Sequence, residues 1–169
     1  VDVAPFLRGR DHLVCLDSAW VSDEIGRYSY AMASPSLVLT SECAIGATGP
    51  RCLSRLRTGS VDDGGGGRGI HQGAFDSDPL SICGLMLEES AEETDAGALP
   101  PFRGGWAGYI GYDYGACREG IEIVVPAQPQ IPQLVLCWYD WVLAWDHLSQ
   151  RAWMIVRSSQ PDGASVMHA

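Results

Sequence analysis

The segment 134–146 constrains the fold more than any other part of this sequence, because nearly all of its side chains are apolar. Alternate residues of an extended chain point to opposite sides, and up to Trp145 both sides of this segment are apolar apart from the intruding Asp140. A strand of this kind needs cover on both faces. We therefore predict one long strand here, followed by a turn at 147–150 and a final strand at 152–157 that completes a hairpin.

Three further strands are predicted in the first quarter of the chain. Residues 13–18, 27–33 and 36–40 have strand character, and the last two are separated at Ser34–Pro35. Residues 43–77 are instead rich in glycine, serine, threonine and arginine and include four consecutive glycines. Such a composition cannot pack a core, so we expect a flexible glycine-rich surface loop there.

A helix is predicted after this loop. Asp78 followed by Pro79 is typical of a helix start, because aspartate caps the free amide groups and proline fits the first helical position. Leu80, Cys83 and Leu87 repeat on one face of that helix. The predicted fold class is α+β, a mostly antiparallel sheet of strands and hairpins with one or two packed helices.

A glycine and aromatic motif, LPPFRGGWAGYIGYD, occupies residues 99–113. Gly105, Gly108 and Gly111 recur every third residue, as they do in some nucleotide-binding loops. A dinucleotide fingerprint lies between a strand and a helix, whereas these glycines fall inside a predicted strand that follows two prolines. We interpret them as positions where another layer packs closely against the sheet.

Composition restricts the partners and the chemistry. The net charge of −10 argues against nucleic acid and anionic membranes as partners, and the absence of lysine excludes a lysine nucleophile or base. The six cysteines are too dispersed for a zinc pair, and most of them are expected to be reduced and buried. With neither a secretion signal nor a membrane-spanning run in the sequence, we expect a cytoplasmic location.

No catalytic constellation stands out. The histidines at positions 12, 71, 147 and 168 have no partner at catalytic spacing and are interpreted as surface residues. Asp17 and Ser18, with Arg27 and Ser29 shortly after them, could hold an amino acid, since arginine binds a carboxylate and aspartate an ammonium group. The alternative is a capped turn with a surface arginine.

Five ordered blocks carry a resemblance to a known family. They are LDS at 16–18, GRYSY at 26–30 running to SP at 34–35, DPL at 78–80, PFRGGWAGYIGYDYG at 101–115, and YDWVLAWDH at 139–147. In this order they resemble the amino-terminal domain of component I of the anthranilate synthase and aminodeoxychorismate synthase superfamily. The last block and the YDYG sequence look more like the aminodeoxychorismate enzymes of 4-aminobenzoate and folate biosynthesis.

The resemblance implies a domain organisation and a set of partners. Residues 1–12 would be an amino-terminal extension, 13–157 the component I amino-terminal domain, and 158–169 a tail leading to a carboxy-terminal chorismate-binding domain. In this family that domain holds the magnesium and the catalytic residues, so we expect no catalytic residue, no cofactor and no turnover in this chain alone. A glutamine amidotransferase subunit would supply ammonia.

The resemblance also implies half of a tryptophan pocket. Ser18 matches a serine that contacts bound tryptophan, and Ile25, Gly26, Arg27 and Tyr28 match a second contacting segment; the other half would come from the catalytic domain. Two alternatives stay open: the corresponding domain of anthranilate synthase, where tryptophan is a feedback inhibitor, and a stand-alone regulatory module that binds an amino acid.

Overall fold

The computed structural model of the chain describes residues 4–18, 20, 22, 25–46, 49–58, 73–76, 78–89, 99–121, 131–157 and 165–168. These residues form, in chain order, α1 (Ala4–Leu7), β1 (Val14–Leu16), β2 (Tyr28–Met32), β3 (Leu37–Gly46), β4 (Gly49–Thr58), β5 (Gly73–Asp76), α2 (Pro79–Glu89), β6 (Gly105–Ile110), α3 (Tyr112–Arg118), β7 (Leu134–Tyr139), β8 (Trp141–Asp146), β9 (Arg151–Val156) and β10 (Ser165–His168).

The chain divides into two compact units. The first unit takes its described residues from Val1–Ser36, Ala91–Gly105 and Trp138–Ala169, and the second from Leu37–Ser90 and Trp106–Cys137. Each unit is built on a five-stranded sheet. The α+β prediction with mostly antiparallel pairing is therefore confirmed.

Sheet 1, in the first unit, has the strand order β1-β2-β8-β9-β10, and all four of its neighbouring pairs are antiparallel. A small core cluster joins Leu7 of α1 to Ala31 and Ala33, with Trp141 and Leu143 packed against it. The predicted extension at 1–12 thus contributes a buried leucine to this unit. Burying a leucine of this kind stabilises a fold by roughly 1.5–3 kcal/mol.

Sheet 2, in the second unit, has the strand order β5-β4-β3-β7-β6. The long β3–β4 hairpin is antiparallel from Leu37↔Thr58 to Gly46↔Gly49. The core cluster of this unit contains buried residues from the strands and from the helices α2 and α3. Its members are Leu39, Cys43, Cys52, Cys83, Tyr114, Cys117 and Leu134. The helix α3 packs against β3.

The prediction of one long strand over 134–146 is wrong, because the chain breaks at Asp140. β7 lies in sheet 2 and β8 in sheet 1. The Asp140 carboxylate accepts a hydrogen bond from the Trp138 indole at 3.0 Å, and its carbonyl accepts one from the Arg157 amide at 2.6 Å. Asp140, the charged residue inside the segment, therefore marks the point where the chain passes from one sheet to the other. The predicted turn at 147–150 and the hairpin with β9 are confirmed.

The prediction of a flexible loop over 43–77 is wrong for the residues that the structure describes. β3 continues to Gly46, and β4 and β5 pair beside it, while residues 47–48, 59–72 and 77 lie outside the described part of the chain. In β4 the buried side chains of Cys52 and Ser54 alternate with the exposed Arg51, Leu53 and Arg55. This alternation is typical of a strand. The sequence did not reveal it, because the inward positions hold a cysteine and a serine instead of large apolar residues.

Two cysteines also differ from expectation. Cys43 and Cys52 are partners on β3 and β4 and form a disulfide, although reduced cysteines were predicted. The register of the β3–β4 hairpin brings them together. This pairing was not predicted, because β4 itself was not predicted. Cys83, Cys117 and Cys137 are buried and reduced, and Cys15 is reduced but exposed.

The glycine motif forms β6, and its last residues begin α3, which was not predicted. A Cβ at Gly108 would overlap the Val135 carbonyl oxygen of β7, and one at Gly111 would lie 3.0 Å from the Gln133 carbonyl oxygen. The close approach predicted for these glycines is therefore present, but the approaching backbone is the neighbouring strand of the same sheet and not another layer.

The helix α2 begins at Pro79 as predicted, and the Leu80 amide donates to the Asp78 carboxylate at 3.1 Å. Of the three residues predicted on its buried face, Cys83 is buried, while Leu80 and Leu87 are exposed. Residues 165–168, assigned to a tail, form β10 and pair with β9. The predicted domain boundaries themselves stay predictions.

Candidate ligand-binding site

The predicted site residues lie in the first unit, where the end of β1 meets the start of β2. The Ser18 hydroxyl donates to the Tyr28 carbonyl oxygen at 2.7 Å, and the Ser18 amide donates to the Ser29 hydroxyl oxygen at 3.1 Å. These bonds join the two strand ends. The proton of the Ser18 hydroxyl is used by the backbone, whereas its oxygen can still accept a hydrogen bond.

A tight turn precedes Tyr28. The Ser22 amide donates to the Ile25 carbonyl at 2.9 Å, and the Ile25 amide donates back to the Ser22 hydroxyl oxygen at 3.0 Å. Gly26 has a φ of 74°, and a Cβ there would overlap the Trp20 carbonyl oxygen. Only glycine fits this position without strain. The neighbouring side chains of Ile25 and Trp20 are exposed.

Arg27 forms an internal ion pair. Its Nε and one terminal nitrogen donate to a single carboxylate oxygen of Asp146 at 3.0 and 2.6 Å. The same carboxylate accepts from the Leu148 amide and from both the amide and the hydroxyl of Ser149. The Arg27 guanidinium beside it, with the Ser149 and Leu148 bonds, holds the pKa of the Asp146 carboxyl well below its usual range despite burial.

This pairing changes the role expected of Arg27. A ligand carboxylate bound by the guanidinium fork would have to compete with Asp146. The Asp146 side chain is 2 % exposed, and Arg27 is the cation among its contacts in the described part of the chain. The guanidinium also stacks 5.0 Å from the centre of the Tyr28 ring. Arg27 therefore fixes the position of Tyr28 and the start of β2 more than it offers a free cation.

His147 belongs to the same cluster, although the sequence analysis placed it on the surface of a turn. Its Nε2 lies 2.6 Å from the Ser29 hydroxyl oxygen, which in turn donates to the Asp17 carboxylate at 2.8 Å. Because a serine hydroxyl has one proton, this arrangement requires His147 to donate through Nε2. The signal for finding His147 and Asp146 was the pairing of β2 with β8, which sequence spacing does not reveal.

The cluster of Asp17, Ser29 and His147 does not have the geometry of a hydrolase triad. In a triad the carboxylate orients the histidine and the histidine accepts the serine proton. Here the carboxylate binds the serine itself. The arrangement is suited to binding a polar or cationic group at Asp17 and not to nucleophilic catalysis.

Aromatic side chains complete the surface of β2. The rings of Tyr28 and Tyr30 stack with centres 6.2 Å apart, and Phe102 meets Tyr30 edge-on at 5.6 Å. Burial raises the pKa of Tyr30, an effect that the neighbouring Phe102 backbone partly opposes. A planar aromatic ligand would find stacking partners here, each worth about 0.5–1.5 kcal/mol beyond area burial.

The described ranges contain neither a metal-ligand cluster nor a helix that could span a membrane. No group of three or more metal-ligating side chains within them is arranged to hold an ion. None of the helices resolved in those ranges has the length and apolar character to cross a bilayer.

The chain is similar to the aminodeoxychorismate synthase component 1 of Escherichia coli (strain K12), to which it is 26% identical over 150 residues. The matched region covers 86% of this chain but 29% of that protein, so the chain spans less than a third of its length. No family model matches the chain.

Proposed function

We propose that this chain is the amino-terminal portion of a component 1 of aminodeoxychorismate synthase. The observation that carries the proposal is the similarity to the Escherichia coli protein over 86% of this chain. The reaction, amination of chorismate to 4-amino-4-deoxychorismate, would take place in a further domain that holds magnesium. A glutamine amidotransferase subunit would deliver the ammonia.

Within that enzyme we assign this chain a binding role and no catalytic step. The described residues offer no triad geometry and no metal-ligand cluster, and lysine is missing from the whole chain. Ser18, Ile25, Gly26, Arg27 and Tyr28 would form one half of a tryptophan pocket. Contacts of Ser18 with Tyr28 and the close packing of Gly26 against Ser18 support this grouping.

The structure allows a division of tasks in the half-pocket. Tyr28 and Tyr30 provide stacking surface for an indole ring. Asp17, an exposed carboxylate beside Ser18, is suited to the ammonium group of an amino acid. Arg27, paired with Asp146, would hold the Tyr28 ring in place, and the ligand carboxylate would be bound by the other half of the pocket.

Activity of the isolated chain tests the first part of the proposal. The chain is supplied with chorismate, magnesium and ammonium, and aminated product is sought by chromatography. We expect no turnover. Formation of 4-amino-4-deoxychorismate by this chain alone would contradict the assignment. Anthranilate as the product of the complete protein, together with inhibition by tryptophan, would identify it as the anthranilate synthase counterpart instead.

Calorimetric titration with tryptophan tests the half-pocket. The complete protein is expected to bind tryptophan, and Ser18→Ala is expected to weaken that binding at least tenfold, because the β1–β2 junction loses its side-chain bond. Ser81→Ala, an exposed serine on α2, is the matched control and should leave binding unchanged. Micromolar binding by the 169-residue chain alone would favour a stand-alone regulatory module.

A further inference from the structure

The disulfide between Cys43 and Cys52 lies in the second unit, among residues to which the proposed function assigns no role. Both half-cystines are buried in the core cluster of sheet 2. We propose that this pair is a redox site, opened by a small thiol such as glutathione and closed again by glutathione disulfide, and that its state controls the order of the neighbouring β6–α3 junction.

The hairpin favours re-formation of the bond after reduction. Cys43 and Cys52 are direct partners in the β3–β4 register, with Cα atoms 4.1 Å apart and a sequence separation of 9. The ladder from Leu37↔Thr58 to Gly46↔Gly49 holds these two positions together without the sulfur bond. Two thiols kept at such proximity have a high effective concentration for each other, so the bond re-forms once an oxidised partner is available.

Cys83, another thiol of the same cluster, does not compete for the bond. Burial, together with the charge of Asp78, raises the pKa of Cys83 to about 11. At neutral pH Cys83 is therefore almost entirely a neutral thiol, and the thiolate is the form that attacks disulfides. Cys15, the exposed free cysteine, lies in the first unit. Cys43 and Cys52 thus form a defined two-electron couple.

A short chain of hydrogen bonds connects the disulfide to the glycine motif. The Cys43 amide donates to the Gln133 side-chain oxygen at 2.5 Å, and the Gln133 carbonyl accepts from the Gly111 amide at 2.7 Å. Gly111 is the residue from which α3 begins. Reduction moves the two sulfur atoms from bonding distance to van der Waals contact in a closely packed place, and we expect the β3 backbone at Cys43 to shift in response while the rest of the ladder holds. The shift is passed to Gln133 and Gly111.

The exchange is balanced by two glutathione molecules. The first thiolate attacks one half-cystine and forms a mixed disulfide, and the other cysteine leaves as a thiolate that takes a proton from water. The second glutathione thiolate attacks the glutathione sulfur of the mixed disulfide, giving glutathione disulfide and the second cysteine. The protein gains two electrons and two protons, and two glutathiones are oxidised to one glutathione disulfide.

A redox titration of the full chain tests the site. The chain is equilibrated without denaturant in buffers that differ in the ratio of reduced to oxidised glutathione. Each sample is quenched with acid and alkylated with a maleimide, and the labelled peptides are identified by mass spectrometry. We expect Cys43 and Cys52 to become alkylated together in one transition. Cys15→Ser should show the same transition, and Cys43→Ser should abolish it. A pair that is alkylated in every buffer, or that stays bonded in excess dithiothreitol, would overturn the proposal.

Amide hydrogen exchange on the unmutated chain tests the connection. We expect at least tenfold faster exchange at Cys43 and Gly111 in the reduced chain than in the oxidised one. The amide of Ala31, in sheet 1, is the internal control and should exchange equally in both. Equal exchange at Gly111 in the two redox states would refute the connection to the glycine motif. Neither measurement depends on chorismate or tryptophan, so failure here is distinguishable from failure of the proposed function.

Discussion

Replacing Asp146 with asparagine is expected to destabilise the first unit strongly, because every described contact of this carboxylate is with a donor. Arg27 provides two donors to one oxygen, and the Ser149 hydroxyl a third; the amides of Leu148 and Ser149 bind the other oxygen. An asparagine amide has one oxygen, so either orientation points an NH₂ group at donors.

The magnitude follows from the contacts and their exposure. If the remaining amide oxygen keeps the two backbone bonds, three donor contacts are lost, two of them from a charged group. Hydrogen bonds to charged groups are worth about 1.5–3 kcal/mol each, but Arg27 is 42 % exposed and regains water when its partner is removed. We therefore expect a loss of about 3 kcal/mol, the low end for breaking a buried ion pair.

Equilibrium urea unfolding followed by tryptophan fluorescence measures this loss. Glu42→Gln is the matched control, because its pair with Arg55 is 3.4 Å long and about half exposed on both sides, and should cost less than about 0.5 kcal/mol. The two variants are compared at pH 7 under the same salt. A cost for Asp146→Asn no larger than that of the control would refute the reasoning.

The same variant has a pH signature. Since folding lowers the pKa of Asp146, the pair contributes its full stability above the unfolded value of about 4, and that stability is lost as the pH falls toward the folded pKa. Unfolding of the unmutated chain should therefore become easier as the pH is lowered from about 4. Asp146→Asn should show a smaller dependence over that range, whereas Glu42→Gln should keep it.

Two further predictions concern the second unit. Gly108→Ala should lower the free energy of unfolding in urea by at least about 3 kcal/mol, because the new Cβ overlaps the Val135 carbonyl and separates β6 from β7. Gly84→Ala is the control: a Cβ there meets nothing within 4 Å, so it should stabilise α2 by about 0.5–1 kcal/mol. Equal effects would contradict the close-packing interpretation. Asp78→Ala should lower the free energy of unfolding by about 2 kcal/mol, since it removes the α2 cap and the acceptor of the Tyr114 hydroxyl. A double-mutant cycle with Tyr114→Phe should give a coupling free energy of about 1 kcal/mol. Strict additivity of the two substitutions would contradict the shared hydrogen bond.

Sequence reasoning predicted elements where local patterns decide the outcome. The α2 start at Asp78–Pro79, the break at Ser34–Pro35 and the 147–150 turn depend on residues close to one another in the chain. It failed where tertiary contacts decide. The break at Asp140 depends on the amide of Arg157, which directly follows β9 and is 17 residues away in the chain. The periodicity of β4 is hidden because its inward positions include serine.

The candidate site was predictable only on one side. Ser18 and the residues 25–28 could be recognised from short blocks that are close in sequence. Asp146 and His147 could not, because their contacts with Arg27 and Ser29 depend on the pairing of β2 with β8. Arg27, which the sequence suggested as a binding group for a ligand carboxylate, is therefore paired with Asp146. This pairing follows from the register of β2 with β8, which composition does not reveal.

That register also has a consequence for the order in which the protein is made. Arg27 and Asp146 are 119 residues apart, so β2 leaves the ribosome long before β8 exists. During that interval β1 is the one sheet neighbour of β2 that has been made, so the other edge of β2 presents unpaired backbone groups. Sheet 1 therefore closes late in synthesis, and the nascent chain passes through a stage in which the open edge of a tyrosine-bearing strand is available to unwanted partners.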